Sequence, residues 1–512
     1  MRASRLPVLL LAILSLLLLG YALTIRVPVH KIGFFSDEST YHSMAYSLAH
    51  DGDLRYQKRD LERVYELGYG GGPPGLFLKR EPRSGRLYYG KAFIYPLIAA
   101  PFVWMLQDNG FFVLHGLLLA AMLAAGYAYL LRATAPANAA FYTVTYLFAT
   151  VSLLYYFWMT PEWFNLSVLF FATFLWLYKL PPPTWSQASM SQERGWLSLG
   201  WTDFAAAVLY GVAVYSKPPA VLLAGPIVLW TVCEGRWKRA AAIALLIALV
   251  CASLFGFTWL ATGDWNYQGG DRKSFYFHYP LESPAVTFDS TGTGMITEPG
   301  NFDYFPSLSE FLRNLVYAAI GRNGGVLLYM FPAVMAVLLF LAAPRRSLLS
   351  PHGFLIAGWL IEVLGYLVLV HGNWIGGGGT VGNRYFVGFY SVLFFVIPGG
   401  AGLLGAAVSW VVAALFLAQI LLNPFYSSHF PATHVKSFPF NLFPSELTIF
   451  HDLPFNTNPD ARRVSLAPDD PFMVYFLDDG TFLKEGDLGG FWVKGKASAE
   501  VVLRSESRVK AL

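Results

Sequence analysis

The stretch from Ala240 to Ala261, AAAIALLIALVCASLFGFTWLA, contains no charged residue and follows directly on Arg236, Lys238 and Arg239. A run of roughly 20 apolar residues is long enough to cross the hydrocarbon core of a bilayer as a helix. The basic residues at one end fix its direction, because short cytoplasmic loops carry the excess of Lys and Arg. The same pattern recurs on both sides of it. Apolar blocks at 6–25, 110–131, 136–157, 162–180, 202–216, 219–233, 326–343, 353–371, 386–400 and 402–422 bring the expected spans to eleven. With the N-terminus inside, Arg2 and Arg5, Arg132, Lys179 and Arg194, Arg236 to Arg239, and Arg345 with Arg346 all fall on the inner face. Block 92–106 is assigned to an interfacial helix, because as a span it would reverse every later charge assignment.

Composition agrees with this reading. Of 512 residues, 55% are hydrophobic and only 13% charged, about half the charge of an ordinary soluble domain. The balance of 36 basic against 32 acidic residues leaves +4, without the basic stripe a nucleic-acid binder needs. Cys233 and Cys251 form neither a metal spacing nor a disulfide framework. The first block follows two arginines like a signal peptide, but it is long enough to span and no small-residue cleavage site clearly follows it. It is read as a retained helix.

Two domains are expected. Residues 1–423 form the membrane domain, with outer loops at 26–109 and 262–325. Residues 424–512 form a small β-rich extracytoplasmic module, with strand-like alternation at Phe491-Trp492-Val493 and Glu500 to Leu503 and a turn at Asp478-Asp479-Gly480. No internal repeat supports an inverted-repeat transporter.

Asp37 and Glu38 lie just beyond the outer end of the first span. Paired acids near lipid are costly unless something uses or pairs them. One could remove a proton from a hydroxyl while its neighbour holds a divalent cation through oxygen. They could equally cap the helix that follows, whose N-terminus favours negative charge. Spacing alone leaves both readings open.

The pattern Asp37-Glu38-x-x-Tyr41 resembles the first-loop motif of the GT-C glycosyltransferases, a superfamily that includes protein O-mannosyltransferases and lipid A aminoarabinose transferases. Tyr88-Tyr89-Gly90-Lys91-x-x-x-Tyr95-Pro96 resembles their second landmark, and Asn373-Trp374-Ile375-Gly376-Gly377 with Gly382-Asn383-Arg384-Tyr385-Phe386 resembles a pattern of many bacterial members. The resemblance covers roughly residues 6–422. It implies an all-α polytopic fold of GT-C type and an inverting, family 39-like enzyme. Such an enzyme moves a sugar from a polyprenyl-phosphate carrier to a glycan, lipid or protein acceptor. The expected setting is the plasma (inner) membrane, with the active site on its extracytoplasmic side.

By that resemblance Asp37 is the general base, and Glu38, with Glu162 as a second acid, holds a divalent cation (Mg, Mn or Zn) or orients the acceptor. Lys91, Lys217 and Arg384 share the outer face and could cradle the departing phosphate. Each has a plainer reading. Glu162 follows Pro161 as a favourable first-turn acid. Lys217, before two prolines, could snorkel to the interface, and Lys91 could anchor there. Arg384 runs against the inner bias for basic residues, which favours a function. His278 and His371 are read as structural. Gly376 to Gly379 reads as a turn that lets backbone approach something closely, not as a phosphate loop. The alternative function is a transporter or flippase of a lipid-linked sugar or other amphiphile. That would need ionisable groups near mid-membrane, of which Glu362 is the chief candidate.

Overall fold

The computed structural model describes residues 5–31, 33–35, 37–183, 195–268, 270–290, 295–296, 305–344, 347–377, 379–449, 472–481 and 492–505. Arg2, Arg194, Arg345, Arg346, Gly378 and Phe491, used in the sequence reading, lie outside the described residues.

Each of the eleven apolar blocks is helical, but they are not eleven full-length spans. Five helices are long and apolar enough to cross a bilayer: Arg5–Thr24, Asn109–Leu131, Trp237–Thr262, Pro351–Leu369 and Leu404–Leu422. A sixth crossing is possible in length if Pro136–Phe148 and Val151–Phe157, bent by 66° at their junction, count as one. The rest are shorter: Pro161–Leu177, Thr202–Ser216, Pro218–Cys233, Phe331–Ala342 and Arg384–Val396. Proline explains several of the breaks. Pro161, Pro218 and Pro332 each open a helix, and proline can begin a helix but cannot continue one from upstream.

The helices sort by position. Pro161–Leu177 is buried on nearly every face, whereas Arg5–Thr24 and Trp237–Thr262 are each only 17% buried and turn leucines and tryptophans outward. So much exposed apolar surface is tolerable only against lipid. The chain is a multi-pass membrane protein. Block 92–106 forms the helix Ile94–Leu106, which leaves Trp104 and Met105 exposed near its end.

Of the basic residues assigned to the inner face, Lys179, Arg239 and Arg132 lie together. Asp203 pairs with Lys179 and with Arg239 at 2.5 Å, and Arg132 donates to the Leu180 carbonyl at 3.0 Å. Elsewhere the chain forms a sheet that the sequence reading did not anticipate. Strands β1 (Leu76–Arg80), β2 (Leu87–Tyr89), β3 (Arg272–Phe275) and β4 (Met295–Ile296) form an antiparallel sheet in the order β2-β1-β3-β4. Leu76 pairs with Phe275 and Lys79 with Arg272, so the sheet joins the two loops expected on the outer side.

In the tail, β5 (Phe472–Phe476) pairs antiparallel with β6 (Val501–Ser505). Asp478 Oδ1 accepts the Gly480 N–H at 2.8 Å in the expected turn, and Val493 makes an isolated bridge to Thr481. Residues 424–449 are instead short helices and turns.

Candidate active site

Asp37 occupies the position before the helix Glu38–His50, yet its side chain makes no capping hydrogen bond. Its carboxylate is used elsewhere. Oδ1 accepts from Arg384 Nη2 at 2.5 Å, and Oδ2 meets Lys91 Nζ at 2.6 Å. Glu162, in the first turn of Pro161–Leu177, accepts at Oε1 from Arg384 Nε at 2.8 Å and from Lys217 Nζ at 3.0 Å. Arg384 therefore bridges both acids, a two-pronged grip that only a guanidinium provides. Asp37, Lys91, Glu162, Lys217 and Arg384 come together in one cluster from five separate chain segments.

Local geometry explains how each arrives. Lys217 sits in an extended residue between Thr202–Ser216 and Pro218–Cys233 (φ −141°, ψ 101°), which frees its side chain from both helices. Arg384 starts a helix whose N-terminus is capped by Asn383 Oδ1, accepting from Phe386 N at 3.0 Å. Its own N–H donates to the Ile375 carbonyl at 2.9 Å. The close approach inferred for the glycine run is to this arginine. Gly376 has φ +97°, and a Cβ there would lie 2.8 Å from Arg384 Cβ.

Glu38 does not join the cluster. It is fully buried, and its Oε1 takes Lys31 Nζ at 2.5 Å and Met159 N at 2.6 Å, while Oε2 takes Phe35 N at 2.7 Å. Neighbouring helical positions point about 100° apart, so two adjacent acids cannot both face one site. Glu38 braces the turn that presents Asp37. Burial pushes its carboxyl up and the Lys31 amine down, and the ion pair with its hydrogen bonds opposes both shifts.

The acids that the resemblance offers to a divalent cation are held by protein groups in this arrangement. Both Glu38 oxygens are engaged, and Asp37 and Glu162 are each gripped by two basic side chains. Among the described residues, no group of three or more His, Cys, Asp or Glu could share a metal ion.

Sequence reasoning missed one residue here. Arg272 on β3 is 7% exposed, and its guanidinium packs 4.8 Å from the centre of the Phe77 ring, which Lys91 Nζ also approaches at 4.1 Å. It makes no ion pair among the described residues, and its Nε has no partner. The signal available was only an Asp-Arg-Lys run in a polar loop, which does not separate a surface charge from a buried one.

Four cations, Lys91, Lys217, Arg272 and Arg384, thus surround two carboxylates. Burial alone would raise the Asp37 carboxyl, but Arg384 and Lys91 outweigh it and hold the group well below the usual carboxylate range. Asp37 is ionised at neutral pH. Burial pushes the Lys91 amine down to about 8, against the pull of Asp37. The buried Glu162 Oε2, Ser216 Oγ and both amide atoms of Asn165 lack partners among the described residues. Such groups are normally satisfied, so this is a site with hydrogen-bonding capacity to spare. A small cavity of about 10 Å³ lies beside Lys91, lined also by Lys79, Tyr88, Tyr89 and Tyr267.

One solved structure is similar to this chain. It is the crystal structure of ArnT from Cupriavidus metallidurans bound to undecaprenyl phosphate, at 15% identity and a TM-score of 0.46. The match covers 84% of this chain and 66% of that one, just under two thirds of its length. No protein-family model and no curated protein matches the sequence.

Among the remaining candidates, Glu362 lies close enough to Lys217 of the cluster to feel its charge. Trp374 is buried against Phe386, and Trp265 stacks on Trp259 at 5.5 Å. His371 Nδ1 pairs with Glu310 at 2.9 Å, and the exposed His278 lies 3.6 Å from Glu282. Glu362 is buried in Pro351–Leu369, with Oε2 lacking a partner among the described residues.

Proposed function

We propose that this protein is a GT-C-type glycosyltransferase that moves a sugar from a polyprenyl-phosphate carrier to an acceptor at the extracytoplasmic face of the plasma (inner) membrane. The observation that carries this reading is the convergence of Asp37 and Glu162 with Lys91, Lys217, Arg272 and Arg384.

The chemistry accounts for each part. In an inverting transfer, the acceptor oxygen attacks the anomeric carbon as the bond from that carbon to the phosphate oxygen breaks. Asp37 takes the acceptor's proton. The carrier changes from a singly charged phosphodiester to a phosphate monoester with a second negative charge. Four cations against two carboxylates leave the site a surplus of two positive charges, placed where that charge develops. Arg272, with no carboxylate of its own among the described residues, is the cation most free to turn to phosphate. Glu162 holds Arg384 and Lys217 in register until the donor arrives.

The test uses the purified full chain in lipid nanodiscs, a radiolabelled polyprenyl-phosphate sugar, and a cell-envelope extract as the acceptor source. Release of polyprenyl phosphate by the wild type, lost in Asp37→Asn while donor binding persists, supports the reading. Donor that crosses the bilayer with its sugar still attached would instead identify a flippase.

A further inference from the structure

The acid Glu446 lies in the tail, outside the cluster, and is fully buried. Among the described residues it has no basic partner within ion-pair distance. Its oxygens are occupied by one loop only. Oε1 accepts the backbone N–H groups of Asn323 and Gly324, both at 2.9 Å, and Oε2 accepts from Asn323 Nδ2 at 2.6 Å. A buried carboxyl that no cation contacts directly is costly, Arg322 acting on it only at longer range, and it persists where its hydrogen bonds are needed.

The loop it holds, residues 321–325, stands between the tail and the segment that carries Arg384. On the tail side, Arg322 donates to the carbonyls of Phe443 at 2.9 Å and Leu477 at 3.3 Å, and its N–H reaches the Pro444 carbonyl at 3.0 Å. On the other side the packing is close. A Cβ on Gly324 would meet Ile375 Cγ2 at 2.8 Å, so the loop backbone at this glycine packs directly on the Ile375 side chain. Ile375 is the residue whose carbonyl receives the Arg384 N–H. Tyr329 closes the same path from below. Its hydroxyl donates to the Arg322 carbonyl at 2.7 Å, and its ring packs under Gly382.

We propose that Glu446 is a positioning residue for Arg384: by holding the 321–325 loop against Ile375, the tail sets where the guanidinium that bridges Asp37 and Glu162 sits. The tail then has a part in the chemistry although none of its described residues touches the acidic pair. The kinetic consequence, though not the geometric one, rests on the reading of Asp37 as the base.

Two readouts test this on the full chain in nanodiscs, with Glu446→Ala, Glu446→Gln and Asn323→Ala. The first needs no activity. Phenylglyoxal modifies accessible arginines, and peptide mass spectrometry reads each site. In the wild type both Arg384 and Arg272 are protected by burial. Glu446→Ala should speed labelling of Arg384 at least several-fold and leave Arg272 protected. Glu446→Gln should stay close to wild type, since its amide oxygen can accept the two backbone N–H groups, and Asn323→Ala should fall between. Equal rates at Arg384 in wild type and Glu446→Ala overturn the proposal. So does parallel exposure of Arg384 and Arg272, which marks a general loosening.

The second readout is kinetic. Loss of the Arg384 grip relieves the pull that keeps the Asp37 carboxyl low. The acid limb of the pH–rate profile should therefore move to higher pH in Glu446→Ala. Turnover should fall about ten-fold or more, with donor KM changed much less. An unmoved limb overturns the proposal. A wild type that never releases polyprenyl phosphate counts against the sugar-transfer reading instead, and the labelling result still decides the role of Glu446.

Discussion

Asp203 and Asp37 stand toward opposite ends of the helix bundle, and each is gripped by two basic side chains. Around Asp203, Lys179 and Arg239 complete the arrangement, and no buried polar atom of the three lacks a partner among the described residues. Around Asp37 the arrangement does not complete itself. Arg384 and Lys91 hold it, but Arg272 Nε, Glu162 Oε2 and the Asn165 amide remain buried without partners. The two clusters have similar composition and different accounts of their hydrogen bonds. A set that closes on itself is scaffold. A set that leaves donors and acceptors unused is arranged for a molecule that is still to come.

The sharpest way to break this comparison is to neutralise each acid in turn. Asp37→Asn should cost turnover roughly 10²- to 10⁴-fold, as expected for loss of a positioned base, with donor binding retained. Asp203→Asn should lower the thermal midpoint and leave turnover within a few-fold. Equal kinetic losses would show that the two clusters do not differ in kind. Next in size is Arg384→Lys. It keeps the charge but cannot reach Asp37 and Glu162 together, so turnover should fall about 100-fold, while Arg239→Lys should be nearly silent.

The pH profile sharpens the contrast further. Lys91 must be protonated to meet a phosphate, and burial has lowered it to about 8. Donor affinity should therefore hold through neutral pH and weaken as pH rises past that value. Lys91→Arg should push the alkaline fall upward. The smallest kinetic effect belongs to Glu38→Gln. It leaves Lys31 buried without its anion and should cost about 3 kcal/mol of stability, with the donor KM unchanged. A changed KM would return Glu38 to the substrate.

The apolar blocks and the basic inner ends could be read from the chain because both are local patterns with a direct cause in the bilayer. The acidic pair was legible as a pair, but not in its division of labour. Which way Asp37 and Glu38 point depends on Lys31, Met159 and Arg384, and the last of these lies 347 residues from Asp37. The sheet was hidden for a related reason. Leu76-Phe77-Leu78 has too short an alternation to announce a strand, and its partner on β3 lies in the other outer loop. The break at Lys217-Pro218-Pro219 was legible from its prolines, whereas the 66° bend between Phe148 and Val151 was not, because an unbroken apolar run does not show where a helix turns.

The contact between Asp37 and Arg384 also bears on how the protein is made. A ribosome releases Asp37 early and Arg384 only after most of the helices are already threaded into the bilayer. During that interval the carboxylate waits beside lipid with Lys91 as its sole cation from the same loop. Any truncation upstream of residue 384 therefore leaves an acid without its principal partner.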